Sequence, residues 1–202
     1  MAAEKAAWRR RFRELRNAVP SDALARASAA IANAVAQLPE VQVAGCIHLF
    51  WPLDGQGEID LRGLAATLSG RGVRVGLPVV YTASPPVLRH RLFTGPDGLA
   101  DGPWGLREPG PDAPTLLPGT IDVVVVPALG LDRRGHRLGY GGGFYDAFLP
   151  QTPALRVGVV LDAALVDALP VDATDARMDV IVTEKAAIRT GRTGRLTDAA
   201  AL

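Results

Sequence analysis

A single cysteine, Cys46, stands in the 202 residues, so the chain has no intramolecular disulfide and no Cys-based zinc site. It lies in the apolar run from Val43 to Phe50 and reads as an inert buried thiol. Histidine is scarce as well. His48, His90 and His136 fall on different elements, which leaves no cluster with metal-ligand spacing, and His48 reads as a core or strand-end residue. The formal net charge is only +1, which argues against a protein that coats nucleic acid. No segment approaches the ~18 apolar residues of a membrane span, and the N-terminus is charged where a signal peptide is apolar. The expectation is a cytoplasmic protein. Several catalytic signatures are missing too: there is no Gly-Lys-Ser/Thr phosphate loop, no Gly-x-Ser-x-Gly, no His-Glu-x-x-His and no paired Cys-x-x-Cys.

What is present is a composition for a packed core, with 48% hydrophobic against 21% charged residues. The length suits one domain, expected over 1–188, with 189–202 a disordered tail. Charge is unevenly placed. Residues 1–16 carry six cations against Glu4 and Glu14, +4 locally and −3 for the rest, which suits an anion near the N-terminus or a solvated basic face.

Trp8, Phe12, Leu15 and Val19 repeat at helical spacing and predict a helix over 4–18, with Lys5, Arg9, Arg13 and Arg16 as a second stripe. A second helix begins at Ser21 and stops at Pro39. Strands are expected at 43–51, 73–78, 88–93, 121–127, 156–161 and 179–183, with helices at 59–69, 144–149 and 162–168. Residues 101–119, nine of them Pro or Gly, read as a long loop of the kind that carries function or is disordered. Ile121 to Pro127, with its unbroken β-branched run, is the strongest strand and suits a parallel strand covered on both faces. The alternation predicts an α/β fold with a largely parallel sheet.

The loop past that strand holds five glycines between Gly135 and Gly143. Glycines ahead of a helix let backbone N–H groups gather round an anion, and the helix dipole adds to the attraction. Arg137 supplies a fork of donors for phosphate, and Asp146 offers a hard oxygen for Mg²⁺. Phe144 stands where the dinucleotide fingerprint needs a third glycine. A flexible turn with an exposed arginine is the plainer alternative.

Arg137-Leu-Gly-Tyr-Gly-Gly-Gly-Phe-Tyr-Asp146, preceded by Val126-Pro-Ala-Leu-Gly-Leu-Asp132, resembles the signature of the 5-formyltetrahydrofolate cyclo-ligases. Lys5-x-x-x-Arg9, Trp51-Pro52 leading to Glu58-Ile59-Asp60, Trp104-Gly-Leu-Arg-Glu-Pro109, Thr174-Asp175 and Met178 to Glu184 follow in the family's order, so the resemblance covers roughly residues 3–185. It implies a three-layer sandwich similar to the sugar-phosphate isomerase and CoA-transferase type, and Mg-ATP-dependent closure of a reduced folate ring through phosphorylation of the formyl oxygen. On the family's pattern, Lys5, Arg137 and Asp146 are catalytic. ATP is held by Lys5, Arg9, Arg137, Leu138, Gly139, Tyr140, Gly141, Gly142, Gly143, Phe144 and Tyr145. Arg9, Trp51, Glu58, Trp104, Tyr140, Phe144 and Tyr145 contact the folate, and Asp146 and Asp175 hold Mg²⁺. A monomer with small-molecule partners and no nucleic acid or membrane is implied. The chain departs from the pattern at Ala164, where the family often has Gln, and at Thr174, where it has His or Asn, both near the expected metal end; an apparent insertion at Gly55-Gln56 and Leu61 for Thr or Ser are further departures. A non-catalytic nucleotide- or RNA-binding relative and a sugar-phosphate enzyme are the rival readings.

Overall fold

The computed structural model describes residues 1–82, 86–172 and 174–191. The apolar spacing of the N-terminal segment forms α1 (Ala2–Asn17) and α2 (Ser21–Ala36), and Pro20 at the junction cannot extend the first helix and caps the second. The chain does not run straight from Pro39 into a strand. Pro39, suited to a first helical turn, opens α3 (Pro39–Val43), and β1 is only Cys46–His48. Then come α4 (Arg62–Gly70), β2 (Arg74–Tyr81) and β3 (Val87–Leu92). The Pro/Gly-rich stretch is not a bare loop: β4 (Leu99–Asp101) pairs with β5 (Arg107–Pro109), and β6 (Thr115–Leu116) joins the main sheet. There follow β7 (Val123–Pro127), β8 (Gly130–Asp132), β9 (Arg137–Leu138), α5 (Phe144–Phe148) and β10 (Leu155–Val159). The helix expected at 162–168 is instead a 3₁₀ turn at Asp162–Ala164 and then β11 (Leu165–Val166), because pairing with β8 outweighs helical spacing there. The last strands are β12 (Val180–Val182) and β13 (Ala187–Arg189). Arg189 thus lies in the sheet, and of the expected tail only 192–202 lie outside the described residues.

The main sheet has the order β13-β12-β10-β7-β1-β2-β3-β6. From β12 to β2 the strands are parallel, and β13, β3 and β6 add antiparallel edges. Alternate residues of β7 feed opposite cores. Val123 and Val125 join α2 and α4 on one face, and Val124 and Val126 join Phe12 of α1 and Phe148 of α5 on the other. The result is the expected three-layer α/β sandwich. Among the described residues, no helix is long and apolar enough to cross a membrane.

The second core holds two close contacts. A Cβ on Gly130 would stand 2.1–2.6 Å from the Phe12 ring, so α1 seats against β8 only because position 130 has no side chain. Beneath α5, His48 and His90 are 0% and 1% exposed, with ring centroids 4.9 Å apart, and the Phe148 ring lies tilted against both. None of the four ring nitrogens has a hydrogen-bond partner among the described residues. Burial lowers both pKa values, that of His90 to about 4, and the neighbouring imidazole lowers His48 further.

Gly130→Ala is therefore expected to cost about 1–3 kcal/mol by overpacking, read as a lower urea midpoint. The histidines predict a pH dependence. The fold keeps them neutral, whereas the unfolded chain takes up protons below pH about 6.5. Stability should be full above that pH and fall as pH drops towards 4, with His90 alone contributing roughly 3 kcal/mol. Urea midpoints measured across pH should show this slope, and His90→Gln should flatten it whatever its own stability.

Candidate active site

A cleft of about 780 Å³ opens beyond the carboxyl ends of β1, β2 and β7, where ligands of open parallel sheets bind. Every residue singled out in the sequence for a site lines it. The stripe on α1 divides: Lys5 is buried and Arg9 and Arg16 are half-buried, while Arg13 points to solvent. Lys5 Nζ donates to Asp172 Oδ2 at 2.7 Å and to Asp175 Oδ2 at 2.6 Å. Burial opposes the ammonium, but the two carboxylates outweigh it and raise the Lys5 pKa. Arg9 Nε donates to the Gly139 carbonyl at 3.0 Å, tying α1 to the glycine loop. Arg137 is not the exposed loop residue that a flexible turn would give. Its side chain is 6% exposed, donates to Asp146 Oδ1 at 2.9 Å and lies 5.7 Å over the Tyr145 ring.

The loop itself turns through left-handed backbone at Gly141 (φ 103°) and Gly143 (φ 70°), and Gly143 caps α5. With five residues, α5 is too short for the dipole expected of it, so the loop's attraction for an anion falls to backbone N–H groups and the cations. Tyr140 joins two segments: its hydroxyl donates to Glu58 Oε1 and accepts from Arg16 Nη1. Burial, and then the Glu58 charge, push its pKa up, so the phenol stays protonated. Glu58 Oε2 accepts from Leu53 N–H at 2.8 Å, which closes the 53–58 loop on itself.

The cleft has two characters. Lys5, Arg9, Arg137, the glycines and three aspartates line one part, and Pro78, Val80, Leu88, Trp104 and Leu106 line the other. Trp104 is 67% exposed, stands edge-on to Phe144 and holds a left-handed φ of 57°. Such strain in a non-glycine residue marks a constrained site. Trp51 is half core, stacking 5.4 Å from Phe93. Asp172 and Arg16 had no sequence assignment. Arg16 was legible as the position eleven after Lys5 on the same helical face, whereas Asp172 shows only by pairing with Lys5 across 167 residues. Of the departures, Thr174 is exposed beside Asp175, but Ala164 does not line the cleft with Asp146 and Asp175. It is 3% exposed in a small cavity beside Phe12 and Arg16.

The 5-formyltetrahydrofolate cyclo-ligase family model matches residues 1–184. The chain is 34% identical over 149 residues to the 5-formyltetrahydrofolate cyclo-ligase of Escherichia coli K12, covering 72% of this chain and 81% of the relative. It is 39% identical over 130 residues to the enzyme of that name from Mycolicibacterium smegmatis, covering 62% and 67%. The solved structure of Aquifex aeolicus 5,10-methenyltetrahydrofolate synthetase superposes with a TM-score of 0.82 at 29% identity, over 96% of both chains. On this breadth of agreement, the chain belongs to the 5-formyltetrahydrofolate cyclo-ligase family.

Proposed function

We propose that the protein, in the presence of Mg²⁺, converts 5-formyltetrahydrofolate and ATP to 5,10-methenyltetrahydrofolate, ADP and phosphate, acting as a cytoplasmic monomer. One observation carries this reading: a single cleft joins a cationic, glycine-rich part to an apolar, aromatic-walled part. The first suits polyphosphate and the second a flat heterocycle.

A formyl amide is a poor electrophile, and direct closure by N10 would expel an oxide-like group. In the proposed sequence the formyl oxygen attacks the γ-phosphorus and the bridging P–O bond breaks, releasing ADP. N10 then adds to the formyl carbon, the C–O bond breaks with phosphate as the leaving group, and N10 gives its proton to solvent. No protein nucleophile is needed. Alignment and charge stabilisation are. Lys5 and Arg137 meet the phosphates, Gly139 to Gly143 wrap them, and Leu138, Phe144 and Tyr145 form the loop's flanks. Arg9 braces the loop and reaches the substrate side. Glu58 and Tyr140, fixed by Arg16, meet the folate where the two parts join, with Trp51 and Trp104 as flat walls.

The residues fit Mg²⁺. Asp146 and Asp175 line the cleft, and among the described residues each bonds through one oxygen and keeps the other unbonded. No group of three or more His, Cys, Asp or Glu among the described residues could hold a metal, so the phosphates and water would complete the shell. Bound there, the ion would neutralise charge on the transferring phosphoryl group. The RNA-binding alternative loses ground because Lys5, Arg9 and Arg16 turn inward.

The direct test is to mix protein, 5-formyltetrahydrofolate and Mg-ATP and follow the near-ultraviolet band of the methenyl product. A flat trace from folded protein that binds ATP overturns the reading. Arg137→Lys keeps the charge but loses the fork, and kcat should fall about 10²-fold with the unfolding midpoint nearly unchanged. Lys5→Met should raise the KM for ATP about tenfold with little change in that for folate, as steady-state kinetics would show.

A further inference from the structure

The mechanism above gives no task to Glu108, a charged side chain that lines the cleft. Glu108 of β5 is 8% exposed and lines the apolar part among Val80, Leu88, Trp104 and Leu106. Its Oε1 accepts the Val80 N–H at 2.8 Å. Among the described residues it forms no ion pair, and Oε2 has no hydrogen-bond partner. Arg91, the cation whose field it feels, aims its donors at the carbonyls of Pro109 and Gly110 instead. Burial pushes the Glu108 carboxyl up, against the pull of the Val80 N–H and Arg91.

A buried carboxylate without a counter-ion is costly, and acids are seldom kept in that state without a partner. The backbone is cut back to admit this one: a Cβ on Gly102 would stand 2.7–2.9 Å from the carboxyl group. Glu58, the acid that the sequence pointed to, is differently placed, since Tyr140 takes one of its oxygens and Leu53 N–H the other. Glu108 keeps acceptor capacity facing the apolar walls, because each carboxylate oxygen accepts more than one hydrogen bond. The complement to such a group is a flat ring with two adjacent N–H donors. Of the two substrates in the proposed reaction, the reduced folate carries that edge, as the ring N–H and exocyclic amino group of its aminopyrimidine.

We infer that Glu108 recognises the aminopyrimidine edge of the pteridine, accepting hydrogen bonds from its ring N–H and 2-amino group, and so fixes the folate's orientation in the cleft. The inference rests on the folate reading of the cleft. It differs from a purely structural role, in which Glu108 only ties β5 to Val80, because Glu108→Gln retains an oxygen for that bond and loses the second acceptor.

The experiment is calorimetric titration of wild type and Glu108→Gln with 5-formyltetrahydrofolate, its 2-desamino analogue and, separately, Mg-ATP. Glu108→Gln should weaken folate binding at least about tenfold and leave Mg-ATP binding and the unfolding midpoint unchanged. The analogue keeps the ring N–H but lacks the 2-amino donor, so the gap between wild type and variant should narrow with it. Gly102→Ala, which crowds the carboxylate without altering it, should also weaken folate but not Mg-ATP. Unchanged folate affinity in Glu108→Gln, or an analogue penalised equally by both proteins, overturns the assignment. Wild type that binds Mg-ATP but no folate overturns the folate reading and this inference with it, a result distinct from a loss confined to the variants.

Discussion

The seating of Phe12 over Gly130 is the contact on which the cleft depends. β8 has no side chain at that point, and the ring fills the gap at 1% exposure. Once the ring is fixed, helical geometry sets the rest of α1: Lys5, Arg9 and Arg16 fall on the face turned to the strand ends. Each then reaches a different part of the chain, Lys5 the 172–175 segment, Arg9 the carbonyl of Gly139, and Arg16 the Tyr140–Glu58 pair. A single apolar contact thereby holds the glycine loop, the 53–58 loop and the acidic segment in register with one another.

The charges of the cleft are arranged for exchange. Lys5 and Arg137 are nearly buried and each is paired with aspartate, so neither stands as an uncompensated buried cation. On the proposed reading, a polyphosphate entering with a divalent cation would bring both signs, and the lysine and arginine would turn to phosphate oxygens while the aspartates would turn to the metal. Desolvation has already been met in folding, and the donors need little reorganisation, which is the condition for effective electrostatic stabilisation. The apolar part works by a different logic. Its walls come from β2, β3 and the turn before β5, elements held by sheet pairing rather than by charge.

Legibility in the sequence followed the same division. The β-branched run of β7, the basic stripe and the glycine loop are local patterns with strong periods, and the structure brings them to one place. The sequence did not display what depends on pairing between distant segments. The run from Asp162 to Ala168 has helical spacing, yet Leu165 and Val166 are drawn into β11 by β8. The prolines and glycines of 101–119 suggested a loop, but they permit the tight turns of the β4–β5 hairpin. Asp172 has nothing local to mark it, and Glu108 stands in the Trp104–Pro109 segment without a role of its own; each gains meaning only from what faces it in the fold.

The departure at position 164 shows why placement matters more than proximity in the motif list. An alanine where the resembling enzymes often carry glutamine was expected to bear on the metal end. In the fold it instead leaves a cavity of about 30 Å³ lined by Phe12, Arg16 and Glu58 among others. Arg16 Nε, also buried, has no partner among the described residues. A longer polar side chain at 164 would extend into that space, towards the same arginine that fixes Tyr140 and Glu58. The substitution therefore acts on the brace between the two parts of the cleft. Lys5 and Arg137 stand apart from it, because they draw their support from aspartates on other segments.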